Sequence, residues 1–246
     1  MKIAVIGSGI SGLSAAYYLS KKHKVDLFEK EDHFGGHSFT IEIEYEKIKS
    51  KKIAVDIGFI VFNELTYPNL INFFKENKIQ IEKSNMSFSV SVKNSSIEYC
   101  GKGINGFFSN RSNLLNIKFI KMFMEILSFY KRSNNLKQIE KNKTLGKYLV
   151  EQKLSKYFID YHIIPMVSAI WSMPAHKASE LPLRFFIKFF QNHGLFKIRN
   201  RPQWYTVSNR SRAYVNKVLE TISGEHYKNY PINKIQRNTS GIKIYY

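Results

Sequence analysis

Apolar residues open the chain in an unbroken run, Ile3 to Ile6, recur among small residues from Leu13 to Leu19, and form a second run from Val25 to Phe28. A short apolar run bounded by glycine predicts a buried strand, and a longer stretch of small and apolar residues predicts a buried helix. The first 28 residues therefore predict strand, turn, helix, strand. Thr40 to Glu46 then alternates apolar and acidic residues and Lys47 to Lys52 is a basic turn, the pattern of an exposed hairpin leading into a strand over Ile53 to Phe62. Leu70 to Glu76 predicts a short helix.

The pattern changes at Asn85. Met86, Phe88, Val90 and Val92 alternate with Ser87, Ser89 and Ser91, a clean period of two. Asn94-Ser-Ser predicts a turn and Ile97 to Tyr99 a returning strand, so a second domain starts here. Phe107 to Arg132 and Thr144 to Ile164 predict helices joined by a polar link. Ile120, Phe123, Met124 and Leu127 have the spacing of one buried helical face. Pro165 is expected to stop or kink the second helix before Val167 to Met173. In Leu183 to Ile198, Phe185, Phe186, Phe189, Phe190 and Phe196 are interleaved with Arg184, Lys188 and Lys197, with Arg199 just beyond. Such a basic, aromatic segment suits a membrane interface or the mouth of a greasy tunnel, and equally a packed helix with snorkelling lysines. Tyr205 to Val207 predicts a strand, Ser211 to Ile222 a helix, and Ile232 to Ile235 and Ile242 to Tyr246 two last strands.

Charge adds a second layer. Thirty-eight Lys and Arg against 19 Asp and Glu leave a net charge of +19 over 246 residues. It is uneven: residues 1–140 carry 20 basic against 14 acidic residues, and residues 141–246 carry 18 against 5. Such a field favours an anionic membrane surface or an anionic cofactor, and a lysine-rich codon usage accounts for it equally. Nucleic acid is not expected, since no helix-turn-helix, zinc or RNA-recognition pattern accompanies the charge. Cys100 is the lone cysteine, which excludes an internal disulfide and a paired-cysteine metal site and suits a reducing cytosol. No metal site is expected. The uncharged stretch Ile3 to Ser20 superficially suits a signal peptide or a membrane span, but its three glycines and Ser8, Ser11 and Ser14 oppose that reading.

The chemistry gathers in the first predicted unit. Gly7, Gly9 and Gly12 form a G-x-G-x-x-G turn between strand and helix, with Ser8 and Ser11 in the intervening positions. Gly7 permits the sharp turn, Gly9 lets backbone approach a pyrophosphate, and Gly12 allows close packing of helix on strand. The helix then points unpaired N–H groups at the phosphates. Glu29, 20 residues beyond Gly9 at the tip of the second strand, is placed to accept hydrogen bonds from a ribose. Strand, turn, helix, strand and acid in register predict a dinucleotide site.

With Gly35-Gly36-His37 five residues beyond Glu29, after Lys30 to Phe34, the sequence resembles the FAD-binding family of flavin-containing amine oxidases, phytoene desaturases and protoporphyrinogen oxidases. It is most similar to a bacterial branch labelled predicted NAD/FAD-binding proteins, whose genes often lie beside cyclopropane-fatty-acid-type synthases. The stretches that carry this are Val55 to Asn63, Tyr67-Pro-Asn-Leu70, Ala169 to Pro174, Asn192 to Leu195, and Trp204-Tyr-Thr-Val207 with Tyr214-Val215.

The resemblance implies an α/β fold: a Rossmann-like FAD/NAD(P)-binding domain with a parallel sheet, plus an inserted α+β substrate domain. Its implied divisions are 1–84 (FAD-binding domain, first part), 85–200 (substrate, helical) and 201–246 (return to the FAD-binding domain). It implies FAD, held by Gly7, Ser8, Gly9, Ser11, Gly12, Glu29, Lys30, Gly35, Gly36 and His37, with Gly58, Phe59 and Ile60 near the flavin ring and Ile232 flanking the adenine. A glycine in a strand marks close backbone approach by chain or ligand, so a plain core strand at Gly58 stays open as well. Where relatives commonly have Gly-Gly-Ser, this chain has Asn209-Arg210-Ser211, a departure that bears on how closely that turn approaches the cofactor.

No nucleophilic triad, metal cluster or carboxylate pair stands out. His162, His176 and His193 are isolated in the sequence, and no catalytic residue is assigned. The expected function is an FAD-dependent oxidoreductase that oxidises or desaturates a small hydrophobic or lipid substrate, cytoplasmic and peripheral to the inner face of the membrane. The alternatives are an NAD-binding Rossmann dehydrogenase and a non-catalytic cofactor-binding fragment or interaction subunit. Because Gly241 to Tyr246 reads as an unfinished strand and family members continue past it, the resemblance also implies a truncated chain with the ring end of the flavin poorly enclosed.

Overall fold

The computed structural model describes residues 1–44, 52–198, 200–239 and 241–246. It divides into two compact units, one made of Met1–Asn85 with Gln203–Tyr246 and the other of Met86–Pro202.

The first unit is a mixed α/β fold built on a parallel sheet. Strand β1 (Lys2–Ile6), helix α1 (Ile10–Ser20) and strand β2 (Lys24–Phe28) follow the predicted order. Strands β1 and β2 pair in parallel, with Lys2 opposite Lys24 and Ile6 opposite Phe28. Helix α1 buries Leu13 and Ala16 against this pair, and each fully buried apolar side chain contributes roughly 1.5–3 kcal/mol. Strand β3 (Thr40–Glu44) pairs antiparallel with β4 (Lys52–Asp56), as the alternation predicts; the basic turn up to Lys51 lies outside the described residues. The single strand expected over Ile53 to Phe62 is instead two. Strand β4 ends at Asp56, the chain bends, and β5 is only Phe62–Asn63. Ile57 N–H to Phe39 O at 3.0 Å and Phe59 N–H to His37 O at 2.7 Å carry the β3–β4 register past Asp56, and the chain leaves that pairing after Phe59. Helix α2 (Pro68–Glu76) buries Ile71, Phe73 and Phe74, and strand β6 (Ile81–Ser84), not expected from the sequence, follows it.

The second unit opens with β7 (Ser89–Ser91) and β8 (Glu98–Cys100), paired antiparallel with Val90 opposite Tyr99. Burial alternates from Met86 to Val92 as predicted, although only three residues make the ladder. The helix expected from Phe107 is broken into α3 (Gly103–Phe107), a 3-10 turn (Arg111–Leu115) and α4 (Ile117–Asn134). Asn116 sets the start of α4 by accepting from Phe119 N–H at 3.2 Å. The buried face of α4 also differs from expectation. Phe119, Met122, Ile126, Phe129 and Tyr130 point inward, whereas Ile120 and Met124 are exposed. Two apolar series share this helix, and the larger aromatic one wins the core.

The helix expected from Thr144 to Ile164 is likewise interrupted. Helix α5 (Leu145–Glu151) ends before Lys153, whose φ is +51°. Ser155 then caps α6 (Lys156–Phe158) by accepting from Phe158 N–H. A π-helical turn (Ile159–Ile163) leads directly into α7 (Ile164–Trp171), so Pro165 neither stops nor ends this segment. The π turn, in which Ile164 N–H bonds five residues back to Ile159 O, lies directly before Pro165 and accommodates its missing N–H within a continuing helix. After α8 (Ala175–Ala178) comes α9 (Leu183–Asn192), which ends at Asn192, before the expected Ile198. Leu183, Phe186, Ile187 and Phe190 are buried, as is Phe196 beyond the helix, while Phe185 remains half-exposed. Phe186 and Phe190 pack into the core with their rings tilted and centroids 4.3 Å apart. Arg199 lies outside the described residues.

The chain then rejoins the first unit. Strand β9 (Trp204–Val207) lies between β5 and β6 and pairs antiparallel with both. Helix α10 (Ser211–Leu219) buries Tyr214, Val215 and Val218. Strand β10 (His226–Tyr227) adds to β2 in parallel, giving the order β1-β2-β10. It is too short to show a pattern in sequence. Asp26 anchors it by accepting from Glu225 N–H at 3.0 Å. A last hairpin joins β11 (Lys234–Asn238) and β12 (Gly241–Tyr245), and Ile232 lies before β11, outside the strand expected to include it.

Candidate cofactor site

The turn between β1 and α1 is held by three elements at once. Gly7 N–H donates to Phe28 O at 2.7 Å, tying the turn to the end of β2. Ser8, fully buried, donates from its backbone N–H to Glu29 Oε2 at 2.8 Å and from its hydroxyl to the same oxygen at 2.5 Å. Its hydroxyl oxygen accepts from Gly35 N–H at 3.1 Å. Glu29 Oε1 accepts from Glu31 N–H at 3.1 Å. Burial opposes ionisation of Glu29, but the Ser8 hydroxyl and N–H, with the N–H groups of Glu31 and Lys30, outweigh it and hold the carboxyl below its ordinary range. Glu29 is therefore a carboxylate at neutral pH.

Helix α1 starts at this turn with Gly9 as its N-cap and no side-chain cap, so N–H groups of the first turn stay available to a ligand. They open on a cavity of about 770 Å³. A Cβ on Gly9 would meet nothing within 4 Å. Gly36 closes over the turn, with φ +55° and its would-be Cβ 3.0 Å from Gly9 Cα. The two glycine turns are thus in contact.

Of the residues expected to hold a cofactor, Gly7, Gly9, Ser11, Gly12, Gly35, His37 and Phe59 line the cavity. Ser8, Glu29 and Gly36 sit behind that wall and shape it through the contacts above. Lys30 is exposed and pairs with Glu31 at 3.2 Å. Gly58 is not on the wall; its would-be Cβ would stand 2.1 Å from His37 O, so the close approach there is to chain. Ile60 is half-exposed, and neither it nor Ile232 lines the cavity. The segment running beside Glu29 is Tyr227 to Tyr230: Glu29 N–H donates to Tyr227 O and Tyr230 N–H to Glu29 O, each at 2.8 Å.

The far wall was given no role in the site from the sequence, although it comes from two of the stretches singled out there. Tyr67, Pro68, Asn69 and Leu70 bring the start of α2 to the cavity, a stretch with no glycine or charge to mark it. Tyr214 arrives from α10, its hydroxyl 2.6 Å from Ser38 Oγ. Asp56 fixes that helix by accepting from Ser211 N–H at 3.0 Å and from Ser211 Oγ at 2.8 Å. Among the described residues no group of three or more His, Cys, Asp or Glu is arranged to hold a metal ion, and no helix is long and apolar enough to cross a membrane.

Comparison with known proteins places this geometry. Residues 5–76 match the NAD(P)-binding Rossmann-like domain. Prenylcysteine oxidase 1 of Homo sapiens is 28% identical over 196 residues, covering 68% of this chain and 37% of the relative; the protein of that name from Pongo abelii matches to the same extent. The chain thus spans well under half the length of the curated relatives it matches. Among solved structures, a putrescine oxidase superposes with a TM-score of 0.66 at 17% identity, covering 99% of this chain and 54% of the other. An oxidoreductase from Methanosarcina mazei gives 0.59 at 19%, covering 100% and 57%. At these identities the likeness is one of fold. All of these relatives are oxidoreductases by name.

Proposed function

We propose that the first unit binds the adenosine-diphosphate part of FAD, and that the chain works as an FAD-dependent oxidoreductase of amine oxidase or desaturase type on a small hydrophobic or lipid substrate. The observation that carries the proposal is the uncapped first turn of α1 opening on the cavity between two touching glycine turns. This cradle suits a pyrophosphate: backbone N–H groups face the space, the helix dipole favours anions there, and Gly9 leaves room where any side chain would intrude. Glu29, held ionised behind the cavity wall, fixes the glycine turn through both Ser8 donors and so positions the backbone that faces the cofactor. Bound FAD would supply two-electron chemistry, while the chain's own residues bind, orient and exclude water. Ile6, Ile10, Phe59 and Leu70 give the cavity an apolar share of wall.

A lipid-like substrate is supported by the name of the curated relatives, which designates a prenylated substrate. A reducing, cytoplasmic setting, read from the lone Cys100, belongs to the same proposal.

The test is the visible spectrum of the purified protein, followed by fluorescence titration of FAD and NAD into apoprotein. Quenching of flavin fluorescence by the native chain, lost in Gly9→Val with an unchanged circular dichroism spectrum, is the expected result. Binding of NAD without binding of FAD would favour a nicotinamide dehydrogenase.

A further inference from the structure

Helix α4 is apolar on two opposite sides, and the core takes only one. Met122, Ile126 and Phe129 pack inward, while Ile117, Ile120 and Met124, at i, i+3 and i+7, are 82%, 39% and 59% exposed. Just before the helix, Leu115 is 89% and Leu114 48% exposed. A single apolar side chain in water needs no explanation, but a cluster marks an interaction surface.

Along the chain, the charge flanking this cluster has one sign. Residues 99–124 contain no Asp or Glu. Lys102, Arg111, Lys118 and Lys121 are all exposed, and none has an ion-pair partner among the described residues. At about 100° per residue, Lys121 borders the outer stripe of α4, about 40° beyond Ile117, and Lys118 lies about 100° beyond Ile117. The next acid, Glu125, is turned toward Ser155, whose N–H it accepts at 3.0 Å.

We propose that this surface, the 3-10 turn 111–115 with the outer stripe of α4, docks on an anionic lipid bilayer. A bilayer answers both halves of the pattern. Its acyl boundary takes Leu115, Ile117 and Ile120, and its headgroup charge takes Arg111, Lys118 and Lys121. Nucleic acid would neutralise the charge and leave the apolar side chains in water. A second copy joined by a two-fold axis would set this basic patch against itself. Helix α9, the other basic and aromatic segment, turns Phe186 and Phe190 into the core, so the bilayer-facing surface lies on α4. The proposal does not depend on the cofactor.

Co-sedimentation with phosphatidylglycerol-containing and pure phosphatidylcholine vesicles tests it. Binding is expected to the anionic vesicles only and to weaken with salt. Lys118→Glu with Lys121→Glu is expected to weaken it by more than about tenfold, and Leu115→Ser with Ile117→Ser to remove it, all with unchanged circular dichroism. Lys137→Glu with Lys141→Glu makes the same charge change at exposed positions of the same unit and is expected to bind nearly as the native chain does. Four results would overturn the proposal: equal binding to neutral vesicles, an equal loss in the Lys137/Lys141 pair, binding to duplex DNA without binding to vesicles, or a dimer that the Leu115/Ile117 pair dissociates.

Discussion

A Cβ placed on Gly12 would stand 1.8 Å from the carbonyl oxygen of Gly7. The contact is backbone to backbone, so no rotamer change can relieve it, and helix α1 would have to lift off the turn. Gly12→Ala is expected to cost about 3 kcal/mol of stability. Gly9→Ala, whose new methyl would meet open space, is expected to cost under about 1 kcal/mol. Urea unfolding of the two variants measures the difference, and equal losses would contradict this account of the turn.

Ser8→Ala removes the hydroxyl that joins Glu29 to Gly35. Glu29 keeps the Ser8 backbone N–H but loses its shortest donor in a buried setting, a cost of about 1–3 kcal/mol. The native carboxyl sits below its ordinary value of 4.5, so its contribution is complete above about pH 4.5 and is lost as pH falls through the folded pKa. With the hydroxyl gone, the folded pKa moves up and the contribution shrinks. Unfolding at pH 7 and pH 4 should show a larger gap between native and variant at pH 7.

His162 is buried between two tyrosines, with Nδ1 2.9 Å from Tyr99 OH and Nε2 3.0 Å from Tyr130 OH. Tyr99 gives its proton to Tyr161 O, so its oxygen accepts from Nδ1–H and Nε2 accepts from Tyr130; the network assigns this tautomer. Burial lowers the histidine from 6.5 to about 3. The unfolded chain takes up a proton below about pH 6.5 that the folded chain refuses, so stability falls by about 1.4 kcal/mol per pH unit from there toward pH 3. His162→Gln should remove that slope, as read from chemical unfolding between pH 7 and pH 4.

Asn209 and Arg210 have φ of +63° and +73°, and Arg210 combines this with ψ of 166°, a region nearly reserved for glycine. Relief of about 1–3 kcal/mol of strain is offset by loss of the Arg210 Nε bond to Ala54 O, worth about 1 kcal/mol. Arg210→Gly should therefore stabilise the chain by about 1 kcal/mol. A higher melting temperature checks it, and a lower one would mean the side-chain bond outweighs the strain.

The strand-turn-helix-strand of residues 2–28 was legible from the amino acids alone. Its constraints are local: a glycine turn, a helix of small residues and two short apolar runs admit one arrangement, and the Ser8–Glu29 register follows from it. The alternation at Met86 to Val92 was legible for the same reason. Long-range packing decided the places where two local answers were equally good or where distant residues meet. Helix α4 carries two apolar stripes, and the choice between them came from the volume of Phe119, Phe129 and their aromatic neighbours. Strand β10 is two residues long and exists because β2 had a free edge and Asp26 a free oxygen. The far wall of the cavity, from Tyr67 to Leu70 with Tyr214, joins segments more than 140 residues apart. Gly58 looked like a ligand contact because a close approach marks the glycine without naming what approaches, and the fold supplied the His37 carbonyl.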